Sequence, residues 1–310
     1  MDIEFIGGYI QARYDRLLKR NEFNAFSQGT KSDFLRLLNN YQYGLGEQND
    51  FEMIILQEEL KHKQFLLGLI DKDHLIFKVL YRSFDHLFLS NLFKSVLLGF
   101  KYQNTVHGLS NFNEEAVENY LIHGDGATID LDLKAYLDEL KLELMDLDGK
   151  ELSDYIIFKL HLDIVRQFNK NTDVFIKRLV SLETDIDNVL LLLRTKLYKK
   201  DITYFEKNVL IDGTIEKHIL VSWFSQSIDE ISKNLSIYFD QDVTEAVKNQ
   251  QHDRYLSHVS YKFMQSMDSF MEDLSFQGFN FAPVIHFTRL KRLEIENLKE
   301  IYYKLKEKLS

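Results

Sequence analysis

At 310 residues and 45% apolar composition, the chain can bury a large core and has the length of two or three ordinary domains. Cysteine is absent, which excludes disulfides, thiolate nucleophiles and cysteine-based zinc sites, and suits a reducing cytoplasm. A net charge of −10 argues against nucleic acid as the partner, because phosphate binding needs clustered Lys and Arg.

The opening Met1-Asp2-Ile3-Glu4 is acidic and has no basic region before an apolar one, so no signal peptide is expected. From Ile6 to Tyr41 the spacing predicts helix, with Ile10, Tyr14, Leu17 and Leu18 on one face and Phe34, Leu35, Leu38 and Tyr41 on another after a break at Gly29-Thr30. A polar turn from Gly44 to Asp50 leads to helices over Phe51 to Ile70 and Asp71 to Lys101. Residues 104 to 130 read as looser, punctuated by Gly108, Gly124 and Gly126, before an acidic helix over Leu131 to Leu147. Helices follow over Leu152 to Phe168 and Val174 to Tyr198. His218 to Phe239 begins like a strand (Ile219-Leu220-Val221) and continues at helical spacing, so it is read as helix. A polar segment at Gln241 to His252 precedes helices over Tyr255 to Leu274 and Ala282 to Ser310. The one proline, Pro283, opens the last of them. Average usage would give roughly fifteen prolines, and so few breakers predict long helices. Uninterrupted apolar runs such as Leu66 to Ile70 fall far short of the roughly 18 residues that cross a bilayer.

Charge is unevenly placed. Asn111 to Asp154 holds thirteen acidic residues against three lysines, which accounts for the whole imbalance. Arg289 to Ser310 holds seven basic residues against four glutamates. The acidic run reads as a solvated face or as a dock for a basic partner.

An apolar, polar, Asn, apolar pattern recurs at Leu89-Ser90-Asn91-Leu92, Ile186-Asp187-Asn188-Val189 and Ile295-Glu296-Asn297-Leu298, at intervals close to a third of the chain. Asn is a poor interior helix residue, so Asn91, Asn188 and Asn297 are expected to close hydrogen bonds between helices, unless they are simply exposed. The expected division is a repeat over 1–110, a second over 111–205 carrying the acidic segment as an insertion, and a third over 206–310.

Phe175-Ile176-Lys177-Arg178-Leu179-Val180, Ile186-Asp187-Asn188-Val189 and Leu193-Arg194-Thr195-Lys196 resemble the middle repeat of a family of rotary ATPase components, the C subunit of V-type and A-type enzymes, whose eukaryotic counterpart is the d subunit. Pro283 and Lys291-Arg292-Leu293-Glu294-Ile295-Glu296-Asn297-Leu298-Lys299 are similar to the end of that family's last repeat. Tyr9, Arg13, Leu17-Leu18, Leu35, Leu38 and Tyr41 are similar to its first. The resemblance implies an all-α, funnel-shaped body of three similar helical units about a pseudo-threefold axis. It also implies a place on the cytoplasmic face of the membrane rotor ring (c/K subunits), beneath the central shaft formed by the D and F subunits. Such a component transmits rotation during ATP-coupled proton or sodium transport and catalyses nothing. Lys304, Lys306 and Lys308, in the basic last helix, are the expected partner contacts.

Two other readings come from the residues. A helical-repeat adaptor would dock a peptide or helix in a concave face. A metalloenzyme would use Glu59-Leu60-Lys61-His62, but this Glu-x-x-His has no second copy, and no metal site is expected. Gly44-Leu45-Gly46 lacks the third glycine of a dinucleotide loop, no Gly-x-x-x-x-Gly-Lys run is present, and Asp146-Leu147-Asp148-Gly149 places its glycine too early for a calcium loop. Neither cofactor nor catalytic residue is expected.

Overall fold

The computed structural model describes residues 3–44, 50–170, 172–250, 256–275 and 280–307, with side chains to residue 305. Among them every regular element is a helix. The backbone falls into two compact units: Met1–Phe88, Gln103–Gly126 and Ser275–Ser310 form the first, and Leu89–Tyr102 with Ala127–Leu274 form the second.

The first unit holds α1 (Ile3–Gln11), α2 (Arg20–Ser27), α3 (Lys31–Asn40), α4 (Phe51–Leu67), α5 (Leu75–Leu98) as far as Phe88, α6 (Glu114–His123) and α15 (Ala282–Glu307). Its centre is the seam of α15, where Ile295, Leu298 and Leu305 recur at helical spacing and face Phe26, Phe34, Leu38, Phe51 and Ile54 from α2, α3 and α4. Tyr302 stacks on Phe51 with ring centroids 4.0 Å apart, a close aromatic pair that adds to the burial of both rings. The predicted break at Gly29-Thr30 separates α2 from α3, and the stretch before it is two short helices rather than one. A 3-10 turn at Tyr14–Arg16 follows α1, and α3 starts at a capping box in which Thr30 and Asp33 satisfy each other's backbone N–H.

Residues 104 to 130 are less loose than their glycines predict, because α6 lies within them. Asn113 caps its first turn by accepting from Ala116 N, and Gly124 ends it in the left-handed region at φ 73°.

The second unit contains α7 (Leu131–Leu144), α8 (Gly149–Arg166), α9 (Val174–Leu197), α10 (Ile202–Asn208), α11 (Lys217–Trp223), α12 (Ile228–Leu235), α13 (Gln241–Lys248) and α14 (Ser257–Ser275) to Leu274. Six of these start at a side-chain cap: Asp130, Asp148, Asp173, Asp201, Ser227 and Asp240. Part of the acidic excess thus satisfies first-turn N–H groups that no intrahelical carbonyl can reach. The strand-like Ile219-Leu220-Val221 is helical in α11, where only Leu220 of the three is buried. The single helix read over His218 to Phe239 is two, because the Ser227–Glu230 capping box restarts the backbone. The polar segment at Gln241 likewise contains a helix, α13, whose Val243, Ala246 and Val247 are buried.

Candidate functional site

Long helices in this protein carry buried carboxylates that grip distant backbone. Asp85 of α5 accepts from Ser110 Oγ at 2.7 Å, Asn111 N at 2.6 Å and Asn111 Nδ2 at 2.7 Å. Burial pushes Asp85 up, and these donors oppose the shift. The same segment is held from the other side by Lys63 of α4. Its three ammonium protons meet the carbonyls of Gly108, Leu109 and Ser110 at 2.9, 3.1 and 2.6 Å.

In the second unit α9 holds residues 210–215 in the same manner. Asp185 accepts from Thr214 N at 3.0 Å and Ile215 N at 2.9 Å, and burial pushes its carboxyl up. One turn on, Asn188 is 1% exposed and reads both polar groups of Leu210, donating to its carbonyl at 3.0 Å and accepting its N–H at 2.8 Å. Ser181 Oγ donates to Asp212 O, and the fully buried His161 donates through Nε2 to Ile211 O at 2.7 Å. Gly213 fits only because it lacks a side chain, since a Cβ there would sit 2.3 Å from Asp185 Oδ1.

The third grip belongs to the first unit. Glu294 of α15 is 4% exposed and accepts from the backbone N–H of Leu18 and from Tyr43 Oη. Burial, followed by the neighbouring Glu294 carboxylate, pushes the Tyr43 hydroxyl far up, so it stays a donor. Lys291 lies 2.7 Å from Glu294, 2.8 Å from Glu58 of α4 and 4.3 Å from the Tyr43 ring centroid. Glu58 also accepts from Gly44 N and Lys61 Nζ, each at 3.1 Å. Burial alone would raise Glu58, but Lys291 and Lys61 outweigh it and leave the carboxyl below its ordinary value.

A cleft of about 390 Å³ opens beside this network, lined by Arg13, Lys61, His62, Phe65, Phe287 and Lys291 among others. Its cations are largely engaged internally: Lys291 by two carboxylates, Lys61 by Glu58 and Gln42 O, and Arg13 by the face of Phe65 and the Tyr9 hydroxyl. Thr288 gives its one hydroxyl proton to Val284 O at 2.8 Å, so His62 Nε2, 3.0 Å from Thr288 Oγ1, must be the donor there. Burial, with Arg292 and Lys291 nearby, pushes His62 down to about 3.

The neutral His62 has a thermodynamic consequence. Between its unfolded value near 6.5 and about 3, the unfolded chain binds a proton that the folded chain refuses, so stability falls as pH drops. One such group contributes a slope of at most about 1.4 kcal/mol per pH unit. Chemical denaturation from pH 7 to pH 5 should show the wild type losing stability more steeply than His62→Gln, and parallel profiles would refute this.

Glu59 and His62 each face other groups of their own unit. Burial pushes Glu59 up against the pull of Lys299 and Arg292, while His62 bonds Thr288. Among the described residues no three His, Asp or Glu side chains group as metal ligands, and no helix is long and apolar enough to cross a membrane. Asn91 and Asn297 are half-buried, and the Asn297 amide makes no side-chain hydrogen bond among the described residues. Lys304 is exposed and pairs with Glu300, whereas the Lys306 side chain and all of Lys308 lie outside the described residues. The grips themselves left one trace in sequence, a carboxylate three residues before Asn188 and Asn297. In α5 the corresponding Asp85 stands six before Asn91.

All-helical, with its polar residues directed at its own distant segments, the chain is built as a scaffold of interlocked helices. The family model described as ATP synthase (C/AC39) subunit matches residues 6–304. The chain belongs to that family and is a component of a V/A-type rotary ATPase. No curated protein matches it.

Proposed function

We propose that this chain is the non-catalytic central-stalk component of its ATPase. It rides on the cytoplasmic face of the membrane rotor ring (c/K subunits), receives the shaft formed by the D and F subunits, and passes torque between them. The family match over 6–304 carries this reading. The interior supports it: a body that transmits rotation must not yield, and helices tied together by buried polar grips resist shear as well as separation.

Three repeats, over 1–110, 111–205 and 206–310, are part of the proposal. Their support is the recurrence of one device on three long helices, with Asp85, Asp185 and Glu294 each accepting a distant backbone N–H. A division by repeat and a division by packing need not coincide, because a repeat can be completed by chain from elsewhere in the sequence.

Affinity purification from native membranes tests the placement. Ring and shaft proteins should accompany the tagged chain, and recovery of the chain alone would overturn it, as expected of a free-standing peptide adaptor. Lys304, Lys306 and Lys308 are proposed as contacts to these partners. Their joint reversal to Glu should reduce assembly about tenfold or more while leaving the isolated chain folded, and undiminished assembly would remove them from the interface.

A further inference from the structure

The acidic helix α7 leaves an unusual face in water. Leu131, Leu142 and Met145 are 82%, 71% and 57% exposed. At about 100° per residue they fall within roughly 60° of one another, with Ala135 beside them, while Leu137, Leu140 and Leu144 fill the opposite, buried side. An isolated exposed leucine needs no explanation, but an aligned row marks a site of interaction.

The charges around the row are sorted. Between Asp130 and Asp148 stand seven carboxylates and two lysines. Asp130 and Asp148 cap helices, and Glu139 and Glu143 hold Lys159 of α8 at 3.0 and 2.9 Å. Helical geometry places Asp138 within the row, Asp132, Glu139 and Asp146 along one edge, and Lys134 and Lys141 along the other. From Leu131 to Met145 the row is about 21 Å long, the length of four turns of a second helix laid beside it.

We propose that this face of α7 docks an amphipathic helix of a partner protein, whose apolar side covers Leu131, Leu142 and Met145 and whose Lys and Arg residues run along the edge of Asp132, Glu139 and Asp146. Charge complementarity selects a basic segment, and the apolar row selects a helix over an extended chain, because side chains at three-and-four spacing would meet the row turn by turn. The inference rests on the chain's place in the ATPase assembly.

The test is a photo-crosslinker, p-benzoylphenylalanine, at position 142 in the intact ATPase. Irradiation should give one crosslinked peptide from another protein of the complex, net positive and with apolar residues at three-and-four spacing. The joint substitution Asp132→Lys and Asp146→Lys, both at exposed positions, should lower its yield about tenfold. An assembly that contains the chain but gives no crosslink overturns the docking alone. So does a crosslink to a second copy of this chain, to an acidic peptide, or one indifferent to the charge reversal. A purified ATPase lacking the chain overturns both the docking and the placement.

Discussion

Replacing Lys291 by methionine is expected to cost about 3–5 kcal/mol of stability at neutral pH, the usual penalty for removing one partner of a buried ion group. Its ammonium is the shared counter-ion of Glu58 and Glu294, whose side chains are 9% and 4% exposed. Glu58 would keep Lys61 and Gly44 N, and Glu294 would keep Leu18 N and Tyr43, but two buried carboxylates would then face each other with no cation between them. Adding Glu58→Gln and Glu294→Gln should restore part of the loss, because no buried unpaired carboxylate then remains. Hydrogen exchange in α4 and α15 is the direct readout. Protection within about 0.5 kcal/mol of the parent would mean that the network stabilises nothing.

Asn188→Ala is expected to cost about 2–6 kcal/mol, since it abandons both the N–H and the carbonyl of the buried Leu210, each worth about 1–3 kcal/mol when left unsatisfied. Asn188→Asp should fall between, because a carboxylate can accept from Leu210 N but cannot donate to its carbonyl. Asn297→Ala, at a half-buried position without such a bond among the described residues, should stay within about 0.5 kcal/mol. Equal thermal midpoints for the two alanine variants would show that the two-way bond to Leu210 is not what α9 depends on.

The long helices were legible because burial imposes a period. The helix predicted over Val174 to Tyr198 is found over Val174–Leu197, and the three-and-four spacing of Ile295, Leu298 and Tyr302 does meet a core. The short helices were not, because α6 and α13 are each shorter than three turns and announce themselves chiefly through caps: Asn113 and Gly124 at one, Asp240 at the other. The same holds for Ser227, whose capping box splits an otherwise continuous apolar pattern.

Of the polar grips, only their local halves could be read. Lys291 and Glu294 are neighbours on one helix, but Glu58, Leu18 and Tyr43 reach them only through tertiary packing, and no local pattern encodes that. The asparagines stand out in the sequence through their poor helix propensity. The carboxylates three residues earlier, Asp185 and Glu294, blended into an ordinary charged pattern although they bind more backbone than Asn297 does.

The grip of Glu294 on Leu18 also sets an order of events at birth. The ribosome makes Glu58 long before Lys291, and at about 5–20 residues per second the delay is roughly ten to fifty seconds. Throughout that interval Phe26, Phe34 and Phe51 have no α15 to close over them, while the helices of the second unit are made one after another. The earliest residues translated are thus among the last to reach their final surroundings, and in the meantime a chaperone would find its apolar client at the beginning of the chain.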